Sequence, residues 1–346
     1  MRYFPVTTNF LLATGVLCLA AAGCSDSREK LPVLELTGST MGTHYSVKLV
    51  APRPQTDTRA LQEQINSSLS RIEQRMSTYR SDSELSLFNR SASTDWVGVS
   101  AELCGVIEQA LSVSEITSAF DITVGPLVNL WGFGPSGTGP KPPEASTIAR
   151  TLKDTGFELI HSDCTIPAIR KDRTGVYVDL SAYAKGYAVD QIVELLSDYG
   201  LENFLVEIGG ELRMHGHNAD KKSWSIAIEK PADFASEVQS IVQITNVAFA
   251  TSGDYRNFFV FAGQRFSHTI DPQTGYPVTH NTAAVSIIGN SAAFADAMAT
   301  AMLVLGVDEG LALAEREGIA AYFQLRTDLG IEEYSSQAFV DAVGVK

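Results

Sequence analysis

Cations are scarce in this chain: 26 lysines and arginines stand against 40 aspartates and glutamates, a formal charge of −14. That shortage excludes the basic surface on which nucleic-acid binding depends. It also makes the overall field repel an anionic substrate, so a phosphate ligand needs local cations. A mean hydropathy of +0.03 is too low for a multi-span membrane protein. No P-loop, HExxH or GxSxG pattern occurs. The one dinucleotide-like match, Gly132-Phe133-Gly134-Pro135-Ser136-Gly137, runs into Thr138-Gly139-Pro140-Lys141-Pro142-Pro143. A Rossmann turn must open a helix at that point; this sequence cannot, so the match is a loop. What the chain does have is 346 residues, 45% hydrophobic and 19% charged. That suffices to bury a core as one large domain or two ordinary ones.

The N-terminus carries an address. Arg2 precedes a weakly apolar run over residues 10–22, too short for a mature bilayer span but suited to a signal peptide. It ends in Leu19-Ala20-Ala21-Ala22-Gly23-Cys24, which resembles a bacterial lipobox. The expected organisation is a signal peptide over 1–23, a lipid-anchored tether over 24–32 and a catalytic domain over 33–346. Cys24 is the expected lipidation site, and the expected location is the periplasmic side of a bacterial cell membrane. Acyl chains contribute about 0.8 kcal/mol per buried CH₂, enough for several to hold a soluble domain. Cys18 leaves with the signal, so Cys104 and Cys164 remain of the 4 cysteines. An oxidising compartment permits a bridge between them. Cys104, among apolar neighbours on an expected helix, is read as a buried thiol.

Periodicity sketches the fold. Tyr45, Val47 and Leu49 alternate with polar residues, as a half-buried strand does. Leu61, Ile65, Leu69, Ile72 and Met76 recur at helical spacing, and further helices are expected near 101–114 and from Lys185. Strands are expected at 204–208, at 224–228, and in a hairpin of 258–261 with 264–268 around Ala262-Gly263. Another is expected at 284–288, before a helix capped by Asn290 or Ser291 and reaching Leu305, and a final one at 319–325. Helices and hairpins mix without regular βαβ alternation. The class is therefore α+β: a two-lobed single catalytic domain with mixed or antiparallel sheets and packed helices.

Chemistry concentrates in loops between these elements, each of which, taken singly, is also ordinary turn or capping sequence. In order they are Gly38-Ser39-Thr40-Met41-Gly42-Thr43, Met76-Ser77-Thr78-Tyr79-Arg80 and the run from Ala119-Phe120-Asp121 to Pro126. Then come Val178 to Ala188, Glu207-Ile208-Gly209-Gly210-Glu211, Thr251-Ser252-Gly253-Asp254-Tyr255, Ser267 to Gly275 and the Ala295-Asp296 stretch through Ala301. Asp296 and Thr300, four apart on an apolar helix, present a carboxylate and a hydroxyl one turn apart. Such hard oxygens suit Mg²⁺, which takes few protein ligands and completes its shell with phosphate and water. Lys185 opens a helix beside Gly186, where a cation and free amides can meet a phosphate; a solvated lysine reads equally well.

As an ordered set over residues 36–305, these loops resemble the FAD:protein FMN transferase (ApbE) family. The resemblance implies an ApbE-like, T-fold-like domain that moves the FMN half of FAD onto a Thr or Ser of a recipient protein, releasing AMP. It implies FAD contacts from Met41, Tyr79, Ala119, Phe120, Asp121, Asp179, Lys185 and Ile270. It implies Mg²⁺ held by Asp296, Thr300 and the backbone carbonyl of Ala182, and a catalytic role for His268. Some relatives carry a hydroxyl residue at the Ala182 position and an acid at those of Lys185 and Ala299. The implied recipients are flavoprotein subunits of respiratory membrane complexes. Two other functions fit the same residues: a Mg²⁺-dependent FAD pyrophosphatase, and a flavin-binding lipoprotein without chemistry.

Overall fold

The computed structural model describes residues 30–135, 141–231, 237–255 and 257–344. The signal peptide, Cys24 and the centre of the 132–143 loop lie outside the described residues. Strands β1 (Val33–Thr40) and β2 (Thr43–Val50) form a hairpin, followed by helices α1 (Thr58–Met76) and α2 (Glu84–Arg90). Strand β3 (Val97–Gly98), helices α3 (Ala101–Ile116), α4 (Gly125–Leu130) and α5 (Ala145–Thr151), and strands β4 (Ile160–Asp163) and β5 (Ala168–Lys171) come next. Helix α6 (Ala184–Asp198) leads into β6 (Phe204–Ile208), β7 (Glu211–His215), β8 (Trp224–Lys230), β9 (Glu237–Ile244) and β10 (Ala248–Gly253). The chain closes with β11 (Phe258–Phe261), β12 (Gln264–Ser267), β13 (Thr282–Gly289), α7 (Ala292–Glu317), β14 (Ala320–Thr327), β15 (Gly330–Ser335) and α8 (Gln337–Val343).

Eight strands make one sheet in the order β1-β2-β6-β7-β10-β13-β14-β15, antiparallel throughout. Both faces are covered, which explains its near-continuous apolar strands. Phe204, Val206, Ala250, Val285, Ile287 and Phe323 point into the main core with α1, α3, α6 and α7. Their neighbours Leu205, Phe249, Ile288 and Tyr322 point the other way, onto the β8–β9 hairpin and Phe339 of α8. A satellite cluster of Leu127, Trp131, Ile148 and Ile270 stands beside the main core. This is the expected α+β class, with a main body and a smaller lobe.

The helix signals resolve as local chemistry. Asp57 accepts the Ala60 N–H at 3.0 Å to start α1, which buries Leu61, Ile65, Leu69, Ile72 and Met76 as its spacing requires. Ser291 accepts the Phe294 N–H at 3.2 Å to start α7. That helix continues past the expected end at Leu305, breaking only at Gly306 (φ 78°). Two backbone groups at the break find partners: His280 Nε2 meets the Val304 carbonyl at 3.1 Å, and the Val307 N–H donates to Thr282 Oγ1 at 3.2 Å. By length and composition α7 could cross a membrane, but Ala295, Met298, Ala299 and Met302 are fully buried against the sheet.

The structure corrects several expectations. Cys104 is buried as expected but is not a free thiol; it is bonded to Cys164, tying α3 to the β4–β5 turn. The segment 38–43 is a hairpin: β1 extends to Thr40 and Met41-Gly42 turns the corner with φ of 49° and 71°. Residues 251–253 lie within β10, and the strand at 320–327 is followed by β15 and α8.

Candidate functional site

A cavity of about 400 Å³ opens where the main core meets the satellite cluster. One wall comes from the loop after α3. Asp121 Oδ1 accepts the Thr123 N–H at 2.7 Å and the Thr123 hydroxyl at 2.6 Å, an Asx turn that fixes Ala119, Phe120 and Asp121 on the lining. Burial pushes the Asp121 carboxyl up, against those hydrogen bonds. The Asp179 N–H donates to the Ile122 carbonyl at 2.7 Å, so the loop bearing Asp179 and Ala182 is stitched to the first.

That second loop has its own anchor. Asn89 bridges both backbone groups of Val178 at 2.8 Å. Lys171, fully buried, donates to the carbonyls of Asn89, Thr174 and Val176 at 3.1, 3.3 and 3.2 Å. Lys171→Met is expected to leave those carbonyls unpaired and cost about 3 kcal/mol. Thermal melting checks it; an unchanged midpoint would remove Lys171 from the support of this loop.

The opposite wall is the N-terminal crossing of α6 and α7. A Cβ on Gly186 would stand 2.2 Å from the Ala292 carbonyl oxygen, so only glycine permits this approach. Asp190 completes it, accepting the Ala292 and Ala293 N–H groups at 3.0 Å each while pairing with Arg213 at 2.6 Å. The crossing brings Lys185 Nζ to 3.5 Å from Asp296 Oδ2, which also accepts the Gly186 N–H at 3.2 Å. Thr300, one turn along, shares a 2.9 Å hydrogen bond with Ser252 of β10. Lys185 Nζ also meets Glu211 Oε1 at 2.7 Å. Burial drives the Glu211 carboxyl up to about 7, reinforced by Asp296 and opposed by Lys185. Burial likewise raises Asp296. Burial alone would lower the Lys185 ammonium, but the two carboxylates outweigh it and hold it above its ordinary value.

His268 lies just beyond β12, half-buried, with the Phe133 ring edge-on at 6.3 Å. Its Nδ1 stands 2.9 Å from the Asn257 carbonyl oxygen. A carbonyl only accepts, so Nδ1 carries the proton and the neutral ring presents the Nε2 lone pair. Burial pulls the imidazole below its ordinary 6.5, against the Asn257 hydrogen bond and the Asp254 charge. Ile270 sits on the following turn, which Trp131 Nε1 clasps through the Gly275 carbonyl at 2.8 Å. Phe133, Phe259 and Phe266 back this side as a chain of ring contacts with centroids 5.4 and 5.2 Å apart.

The cavity thus gathers Tyr79, Ala119, Phe120, Asp121, Asp179, Ala182, Lys185, His268, Ile270, Asp296 and Thr300. Met41 is not among its lining residues; its N–H donates to Glu73 Oε1 at 2.7 Å, holding the hairpin corner against α1. Glu211, Ser252, Asn257 and Phe133 line the cavity without a role assigned from sequence. Glu211 and Ser252 do lie in loops that the sequence marks out. Asn257 holds His268 through its backbone carbonyl, a role for which no side-chain signal exists.

Charge decides what the cavity can take. Its described lining carries Asp121, Asp179, Glu211 and Asp296 against a single ammonium, Lys185. A pyrophosphate cannot enter so acidic a wall without further positive charge. The donors fit a hard cation: the Asp296 carboxylate and the Thr300 hydroxyl, on a wall that also holds a Glu211 Oε2 buried with no hydrogen-bond partner. Among the described residues no cluster of three or more His, Cys, Asp or Glu is arranged for a metal. A mixed oxygen set of this kind would leave room for phosphate and water around a bound cation.

Comparison with known proteins adds five findings. The ApbE family model matches residues 41–323. The FAD:protein FMN transferase of Vibrio cholerae is 41% identical over 332 residues, 96% of this chain and 98% of that protein. Its Haemophilus influenzae counterpart is 39% identical over 335 residues, 95% and 97% of the two chains. The solved flavin transferase ApbE of Vibrio cholerae superposes with a TM-score of 0.83 at 40% identity, covering 90% of this chain and 99% of that one. The apo flavinyl transferase ApbE of Pseudomonas stutzeri gives 0.83 at 38% identity, covering 92% and 98%.

Proposed function

We propose, from the premise that the chain belongs to the ApbE family, that it transfers the FMN moiety of FAD to a protein hydroxyl in this cavity with the aid of Mg²⁺. The recipient Thr or Ser oxygen attacks the FMN phosphorus, the anhydride bond to the adenylate breaks, and AMP leaves with the bridging oxygen. Such transfers need charge neutralisation and alignment more than covalent help from the enzyme. Mg²⁺, when bound, would supply that charge neutralisation. Asp296, Thr300 and the Ala182 carbonyl are the residues to hold it, with Lys185 as the second positive charge on the same wall.

The protein's own groups account for the rest. Tyr79, Ala119, Phe120, Asp121, Asp179 and Ile270 surround the flavin and its nucleotide. His268 Nε2 takes the proton of the attacking hydroxyl, since Nδ1 is committed to Asn257. The single observation that carries the reading is the meeting of an acidic, oxygen-lined wall with a tautomer-fixed histidine in one cavity. Incubation with FAD, Mg²⁺ and a candidate recipient tests it. A flavin–protein adduct with AMP is expected; free FMN with AMP would make the chain a pyrophosphatase, and intact FAD a binding protein.

The lipobox-like ending at Cys24 supports an enzyme tethered to the periplasmic side of a bacterial membrane. Subunits of respiratory membrane complexes are recipients within reach of such a tether. Cys24→Ala is expected to leave the protein exported and unacylated by mass spectrometry. Acyl chains persisting on that variant would dismiss the anchor.

A further inference from the structure

The Ile208-Gly209-Gly210-Glu211 turn has no part in the chemistry above, yet it delivers a buried carboxylate to the cation wall. Gly209 and Gly210 adopt φ of 63° and 108°, reversing the chain so that Glu211 opens β7. A Cβ on Gly209 would stand 2.9 Å from Thr43 Cγ2 and 3.4 Å from Lys185 Cδ, so the lysine stem lies across the turn. Glu211 is 4% exposed. Its Oε1 takes the Lys185 ammonium at 2.7 Å, and its Oε2 is buried without a partner. The same ammonium stands 3.5 Å from Asp296 Oδ2.

We propose that Lys185 is a resident cation that shares Asp296 with the incoming metal, and that Glu211 is the positioning residue that receives the ammonium when the metal takes Asp296. The proposal rests on the Mg²⁺ reading above. A divalent ion and an ammonium both at contact distance from one carboxylate repel each other strongly in a buried site. Lys185 already makes its shorter contact to Glu211, and an ammonium has three donors. The free Oε2 can therefore take a second bond as the contact to Asp296 lengthens. The exchange keeps the lysine in the cavity, ready for phosphate, instead of releasing it to solvent.

Lys185 and Glu211 then act on metal affinity with opposite signs. Mn²⁺, in place of Mg²⁺, is titrated into metal-stripped, FAD-free protein, and free Mn²⁺ is counted by electron paramagnetic resonance. Lys185→Met is expected to tighten binding, and Glu211→Gln to weaken it, each by a factor within the ~5–150-fold span of ordinary coupling energies. In the Lys185→Met background the Glu211→Gln effect is expected to shrink to a small residue, because its lysine intermediary is gone. Melting curves confirm that each variant is folded. Weaker binding in Lys185→Met would overturn the proposal. An undiminished Glu211→Gln loss in the double variant would make Glu211 a direct ligand and overturn it too. Wild-type binding that is indifferent to Asp296→Asn would instead remove the cation site itself, and the proposal with it.

Discussion

Asp296→Asn is expected to reduce FMN transfer by ~10³-fold or more, with no recovery at raised Mg²⁺. The carboxylate is 3% exposed, at the N-terminal end of α7, and is the one acid that both the Gly186 N–H and Lys185 address. Asparagine keeps the shape and removes the charge. A bound metal contributes several kcal/mol of transition-state charge stabilisation, and each 1.36 kcal/mol is tenfold in rate. The fold is expected to tolerate the change, because Lys185 keeps its 2.7 Å contact to Glu211 and no buried ammonium is left unpaired. The flavin side of the cavity comes from other loops, so metal-free FAD binding is expected to stay within a few-fold of wild type. Initial rates of flavin-adduct formation, read beside FAD affinity and melting temperature, check all three. Wild-type transfer by this variant would withdraw Asp296 from the cation site.

What the sequence discloses follows from how local each signal is. Helix α1 is legible because five buried side chains repeat at helical spacing within one segment and Asp57 caps it. The β11–β12 hairpin is legible because Ala262-Gly263 takes φ of 49° and 80° between two apolar runs. Strand β1 hides because it is an edge strand with only Leu36 and Thr40 buried, so its pattern reads as polar loop. The second half of α7 hides because the Gly306 break is sealed by His280 and Thr282, residues from before β13 and its first position.

Within the site, the same rule separates what is read from what is missed. Asp296 and Thr300 stand out because they interrupt an apolar helix four residues apart. The Lys185–Glu211 contact joins residues 26 apart through a turn that only the sheet order brings round. The Cys104–Cys164 bridge spans 60 residues, and neither partner's surroundings in the sequence point to the other. Met41 shows the converse: a motif position can be legible while its side chain packs against the main core and is not among the residues lining the cavity. Its corner is held by Glu73, which takes both the Met41 N–H and the Thr40 hydroxyl.

His268→Ala is expected to bind FAD nearly as tightly as wild type and to transfer FMN ~10²–10⁴-fold more slowly, the usual contribution of a positioned general base. The separation follows from what the ring touches. Its Nδ1 is spent on the Asn257 carbonyl and its ring packs against Phe133, while the flavin and cation walls, Ile270 on the next turn apart, come from other elements. Only Nε2 is left for chemistry, and only the attacking hydroxyl needs it. The pH profile gives an independent check. The neutral ring is the base, and burial places its pKa below 6.5, so protonation requires more acid than for a free imidazole. The acid limb of the wild-type rate is therefore expected below pH 6.5, and the residual rate of His268→Ala is expected to lack that limb. FAD affinity and initial rates of fluorescent adduct on a denaturing gel, taken from pH 5 to pH 8 or so, supply both readings. Equal rates would take His268 out of catalysis, and a parallel collapse of FAD affinity would make it a wall of the pocket. An unchanged acid limb in the variant would assign that titration to another group.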